Sequence, residues 1–160
     1  MKKKLLRLTG ILSLSVILVA CGGSRMRGDT TTVCENAPST FSGNIGTTVV
    51  TIEGTDEDIR TWTERTTFTR DEFNLLTGEV FTDEEIREEI NFIGDRLATG
   101  VSLSLVSLDA NTVVLDYIYN YDDMSLRDLN TVWQTDDFER SVTLSSAIGG
   151  LEELGGATCH

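Results

Sequence analysis

Three cysteines and one histidine are the scarcest reactive side chains in this 160-residue chain. Cys21 closes an apolar run, Cys34 opens a β-rich stretch, and Cys159 and His160 are neighbours. Hydrolytic chemistry asks for a nucleophile beside a base, and neither Gly-x-Ser-x-Gly nor His-Glu-x-x-His occurs. Carboxylates are abundant, 26 in all, so carboxylate pairs with separated pKa values are the one catalytic chemistry the composition supplies. The densest group is Asp83, Glu84, Glu85, Glu88 and Glu89, which a helix start and a solvated face explain. Asn120-Tyr121-Asp122-Asp123 offers oxygen ligands to a hard cation such as calcium, yet it lacks the spacing and the glycine of an EF-hand. A solvated turn explains it too. No catalytic residue, metal site or cofactor is therefore assigned.

The amino-terminal stretch speaks to location. Lys2, Lys3, Lys4 and Arg7 precede an apolar segment from Leu8 to Val19. That segment is shorter than the roughly 20 residues a bilayer core requires, and it has the proportions of a signal peptide. It ends Leu18-Val19-Ala20-Cys21-Gly22-Gly23, which resembles a bacterial lipobox. The resemblance implies that residues 1–20 are removed, that Cys21 receives diacylglycerol, and that the new amino terminus is acylated, for example with palmitate. The protein is then expected on the extracytoplasmic side of a bacterial cell membrane, since two or three chains anchor far better than one. The alternative is an ordinary signal peptide with a half-cystine nearby.

Charge narrows the partners. Four of the thirteen basic residues precede Cys21, which leaves nine arginines against 26 acids and a net charge of −17. A surface so acidic, without a basic stripe, argues against nucleic acid and against electrostatic docking on anionic lipid. Solubility near a charged envelope accounts for it, and cationic partners would be tolerated. Residues 21–32, the acylated cysteine and a glycine- and threonine-rich stretch, read as a tether. They include Arg27-Gly28-Asp29, a tripeptide short enough to arise by chance.

Residues 33–160 suffice for one domain with one core. Thr48, Val50 and Ile52 alternate with Val49, Thr51 and Glu53, and the alternation resumes in Ile59–Phe68, where Trp62, Glu64, Thr66 and Phe68 share a parity. With Gly54–Asp58 as the turn, this is an antiparallel hairpin. Thr82-Asp83-Glu84-Glu85 is a capping box, and Ile86, Ile90, Ile93 and Leu97 form one stripe of a helix ending near Gly100. A second hairpin pairs Val101–Leu105 with Val113–Tyr121 across Asp109-Ala110-Asn111. A short helical turn is expected over Ser125–Asn130. A closing helix runs from a Thr143 cap to Gly155-Gly156, weakened by Gly149-Gly150 inside it. The expected fold is α+β: an antiparallel sheet of four to five strands, with one long and one carboxy-terminal helix on one face.

In an exported domain, Cys34 and Cys159 favour a disulfide. Two buried thiols, or a metal pair with His160, remain alternatives, although one imidazole and two thiols fall short of a closed zinc site. Tyr117, Tyr119 and Tyr121 share a strand face. Packing explains them, and a contact face for a peptide or glycan, centred on Tyr117 and Tyr119, is the sharper expectation. Arg60, Arg65 and Arg70 lie on or beside the first hairpin, within reach of acids.

The order of lipobox, cysteine-bearing strand, "TVVTIEGTDEDIRTWTERTTFT", "TDEEIREEINFI", "GVSLSLVSLDANTVVLDYIYNYDDMSLRDLN" and "SVTLSSAIGGLEELGGATC" resembles the small YehR-like bacterial lipoproteins, whose function is unknown. The resemblance implies a membrane-anchored α+β domain and brings no catalytic residues. The reading is thus a non-enzymatic envelope module that contacts a protein or small ligand. The alternative is an enzyme working on an envelope polymer through paired carboxylates.

Overall fold

The computed structural model describes residues 30–125, 127 and 143–160. Cys21, the tether up to Asp29, and most of the turn expected over Ser125–Asn130 lie outside the described residues. Ten elements follow in order: β1 (Thr30–Glu35), β2 (Thr47–Thr55), β3 (Asp58–Thr69), α1 (Arg70–Thr77), α2 (Asp83–Gly94), β4 (Val101–Leu108), β5 (Thr112–Asn120), a 3-10 turn (Tyr121–Asp123), α3 (Leu144–Gly155) and β6 (Thr158–Cys159). The fold is α+β, with a single sheet in the order β4-β5-β3-β2-β1-β6 and every neighbouring pair antiparallel.

The sheet has six strands, more than the four to five expected, because β6 adds a strand that no alternation announces. Two residues long, it exists only through its pairing with β1. The first strand begins at Thr30, three residues before the expected domain boundary at Val33. A third helix, α1, follows β3 without a break; Thr69 caps it with a capping box to Glu72. The α2 box forms as read, Thr82 Oγ1 accepting from Glu85 N–H, but the helix ends at Gly94, and Gly100 leads into β4 instead. The α3 helix starts at the Thr143 cap and stops at Gly156 in the left-handed region, as its sequence signals.

Period-two alternation decides which face is covered. Val50 and Ile52 on β2, Trp62, Glu64, Thr66 and Phe68 on β3, and Val113, Leu115 and Tyr119 on β5 are all buried. The apolar residues there form two clusters. Phe68, Phe73, Ile86, Ile90, Leu103, Val113 and Leu115 pack beneath α1 and α2. Cys34, Val50, Ile52, Trp62, Tyr119, Leu144, Ala147 and Leu151 pack beneath α3. Each fully buried aliphatic or aromatic side chain contributes about 1.5–3 kcal/mol. On the opposite face Arg65 donates two parallel hydrogen bonds to Asp116, at 2.7 and 2.6 Å, across the β3–β5 pair.

Candidate functional site

Glu64 interrupts the apolar face between the two clusters. It is only 1 % exposed, and its neighbours across the sheet are Val50 on β2 and Tyr117 on β5. Such a carboxylate loses its water and must be satisfied by protein. Most of its partners come from the loop between β1 and β2. Oε2 accepts from Ser39 Oγ and from the Thr40 backbone N–H, both at 2.9 Å. Oε1 accepts from Thr40 Oγ1 at 2.7 Å and from the Trp62 indole N–H at 2.9 Å. Two bonds on each oxygen fill its acceptor positions. Burial pushes the Glu64 pKa up, while the bonds from Thr40, Trp62 and Ser39 pull against that rise. No arginine is among these partners.

The loop is held at both ends and across its middle. Gly46, at φ +81°, packs so tightly that a Cβ there would lie 2.8 Å from Thr67 O and 2.9 Å from the Phe68 ring. Pro38 occupies the space beside Gly155 of α3, where a Cβ would come within 2.5 Å of the proline ring. Phe41 stacks on Tyr117 with centroids 5.6 Å apart, and Ile45 joins the cluster beneath α1 and α2. The loop also bonds to itself: Ser39 and Gly43 exchange backbone hydrogen bonds at 2.9 and 2.8 Å, and Ser39 Oγ accepts from Phe41 and Ser42 N–H.

Tyr119 completes the arrangement. Its hydroxyl lies 2.6 Å from Thr40 Oγ1, which in turn donates to Glu64. Tyr119 and Tyr117 meet edge to face at 5.0 Å. Burial first, and then the Glu64 charge, push the pKa of both phenols up. The expected contact face is corrected at Tyr119 alone. Tyr119 is 3 % exposed, because it packs in the cluster under α3, and Tyr117 is half-buried. Tyr121, half-buried, packs against the same cluster.

The cysteines meet at the sheet edge. Val33 and His160 exchange backbone hydrogen bonds at 3.0 and 2.9 Å, so the next pair, Cys34 and Cys159, is of the closer, non-hydrogen-bonded kind. Their Cα atoms are 4.0 Å apart and their sulfurs are joined. Among the described residues no three His, Cys, Asp or Glu side chains gather as metal ligands, and no helix is long and apolar enough to cross a membrane. The Asn120 amide donates to Asp123 Oδ2 at 2.5 Å, and Asn120 Oδ1 accepts from the Asp122 N–H at 3.2 Å. Asp83 pairs with Arg70, and Glu85 serves the α2 cap.

Sequence reading passed over Glu64, although the signal was present: it shares the parity of Trp62, Thr66 and Phe68, so alternation alone turns its carboxylate inward. The Ser39 and Thr40 donors carried no periodic signal.

No protein-family model and no curated protein sequence matches this chain. Two solved structures share its fold. An NMR structure of a protein from Streptococcus pneumoniae TIGR4 is 12 % identical with a TM-score of 0.53, covering 90 % of this chain and 92 % of its own. The NMR structure of the Escherichia coli YehR protein is 11 % identical with a TM-score of 0.57, covering 83 % and 93 %. The chain therefore has the fold of YehR over most of its length.

Proposed function

We propose that this protein is a YehR-like lipoprotein, held on the outer side of a bacterial membrane through Cys21, and that it works by binding and not by catalysis. The observation that carries the reading is the state of Glu64. This is the most deeply buried carboxylate among the described residues, and all its acceptor positions are engaged by Ser39, Thr40 and Trp62. A general base needs a free lone pair directed at a substrate proton. Glu64 instead fastens a loop to a sheet. The anchor is supported by the lipobox-like run before Cys21. The eight residues between Cys21 and Thr30 reach at most about 29 Å when extended, which keeps the domain close to the bilayer.

Cross-linking in intact membranes, with the lipidated protein as bait, tests both parts. A specific partner should be recovered with the parent chain and lost with Cys21→Ser, which should also leave the membrane fraction or remain unprocessed. Turnover of a peptidoglycan, lipid or glycan substrate that disappears when one carboxylate is removed would overturn the binding reading.

A further inference from the structure

We propose that the face of the sheet turned away from the helices pairs two copies of this protein, sheet against sheet, about a two-fold axis that runs along the strands. The inference goes beyond the binding reading and borrows from it only the anchor at Cys21, which orients the pair.

The alternation that turns one set of side chains under the helices turns the other set away from them. Among the described residues α1, α2 and α3 all pack on the first set. The second set lies in rows across the strands. Val33, Thr51, Thr63, Ile118 and Ser102 are successive cross-strand partners and form one row. Val49, Arg65 and Asp116 stand in the next row, and Thr67 and Val114 in the one after. Val33, Val49, Val114 and Ile118 are only half-buried there, so a broad stripe of β-branched side chains has no layer above it.

Charge selects a second copy as the occupant. In these rows Arg65 is set against only Glu35 and Asp116, in a chain whose nine arginines past Cys21 face 26 acids. On the helical side a second copy meets its own kind of charge, since Asp71, Asp83, Glu84, Glu85 and Glu88 are all exposed. On the open face it meets methyls and hydroxyls. Arg65 already holds Asp116 through two hydrogen bonds, so covering the pair strands no charge. The area also suffices. Five strands about 4.8 Å apart and seven residues of about 3.3 Å give each face about 550 Å² in plan. Two such faces cover on the order of 1,100 Å², which reaches the roughly 1,000 Å² of a specific interface.

The tether sets the axis. Thr30 opens β1 opposite Gly54, at the end of the sheet where β2 turns into β3. Rotation about an axis along the strands leaves that end in place for both copies, so both tethers leave toward one membrane. An axis across the strands would send them to opposite ends. Strands kept in one direction suit the aligned packing of two twisted sheets, and anchoring in a shared plane raises the effective concentration of one copy for the other.

Sedimentation equilibrium of the full lipidated chain in density-matched detergent tests the pairing. A dimer is expected, and Ile118→Glu, which puts a carboxylate in the Thr63 row, should weaken it about tenfold or more. Leu75→Glu, on the exposed side of α1, should leave it unchanged. A second measurement covers the case in which Ile118→Glu fails to fold. In intact membranes, Thr63→Cys should be joined to its counterpart by a short bismaleimide matched to the roughly 10 Å between packed sheets, and Ser145→Cys, exposed on α3, should not. A monomer at all concentrations would overturn the proposal, as would a dimer that Leu75→Glu weakens and Ile118→Glu does not. Linking through Ser145→Cys but not through Thr63→Cys would overturn it too. None of these results alters the recovery of a different partner with the parent chain, so the pairing and the broader binding reading fail separately.

Discussion

Beneath α1 and α2 the sheet is closed by Phe68, Phe73, Ile86, Ile90, Val113 and Leu115; beneath α3 it is closed by Leu144, Ala147 and Leu151 together with a covalent bond. The first half is assembled from chain-neighbours. The α1 helix continues directly from β3, so Phe73 meets Phe68 edge to face at 6.0 Å across a five-residue interval, and capping boxes fix the starts of both helices. The second half draws on residues from Cys34 to Ala157, and its helix carries Gly149 and Gly150. Small side chains bury little area, and helical glycines cost about 1 kcal/mol each relative to alanine. The disulfide adds a covalent tie to these contacts. Between the halves Glu64 makes a polar belt, and Tyr117 packs on both sides of it.

The contrast can be broken most forcefully at the bridge. Cys34→Ser with Cys159→Ser opens a sequence separation of 125 residues and should lower stability by up to about 5 kcal/mol on the loop-entropy scale. Native-state hydrogen exchange should show Ala147 and Leu151 losing protection well before Ile86 and Ile90. Equal loss in both helices would mean that the halves open as one unit. The next largest effect comes from the other side. Phe68→Ala should cost about 4 kcal/mol in urea denaturation, with α1 and α2 exchanging first and the disulfide-held segment last.

The belt offers a gentler probe, a slope with pH. Glu64 has a folded pKa above its usual 4.5, so the native state binds its proton more tightly than the unfolded state does. Its contribution is full below pH 4.5 and is lost as pH rises through the raised value. Glu72 and Asp109 act oppositely. Their carboxyl pKa values are lowered, Glu72 chiefly by the Thr69 N–H and Asp109 chiefly by the Asn111 N–H, and their stabilisation is lost as pH falls. Subtracting the Glu64→Gln stability curve from the parent curve isolates the first effect. The difference should decline as pH rises from 4.5; a flat difference would show that four hydrogen bonds balance burial, and a rising one that they outweigh it.

What could be read from sequence tracks how local the determining physics is. The α2 box, the α3 cap and stop, and both hairpins depend on residues a few positions apart, and they appear where their signals lie. The α1 helix carries the same Thr-x-x-Glu signature at Thr69–Glu72 but spans only eight residues. The alternation of β3 runs into it and hides its start. Neither β6 nor the clasp of Ser39 and Thr40 on Glu64 has a local signal, because partners 125 and 25 or 24 residues away define them. Tyr119 shows the same limit. Its parity identified the face, but only the packing of α3 and the loop decides whether that face meets water.

The pairing of Val33 with His160 makes the domain nearly circular. Because β6 runs antiparallel to β1, the chain leaving His160 heads toward Thr30, and a short glycine linker between those residues would turn β6 and β1 into an ordinary hairpin. New ends could then be cut at the exposed Asp109–Asn111 turn between β4 and β5, with every strand pair and the Cys34–Cys159 bridge retained. The architecture is in this sense indifferent to where the polypeptide starts, and a circularly permuted domain would present its ends at the opposite end of the strands.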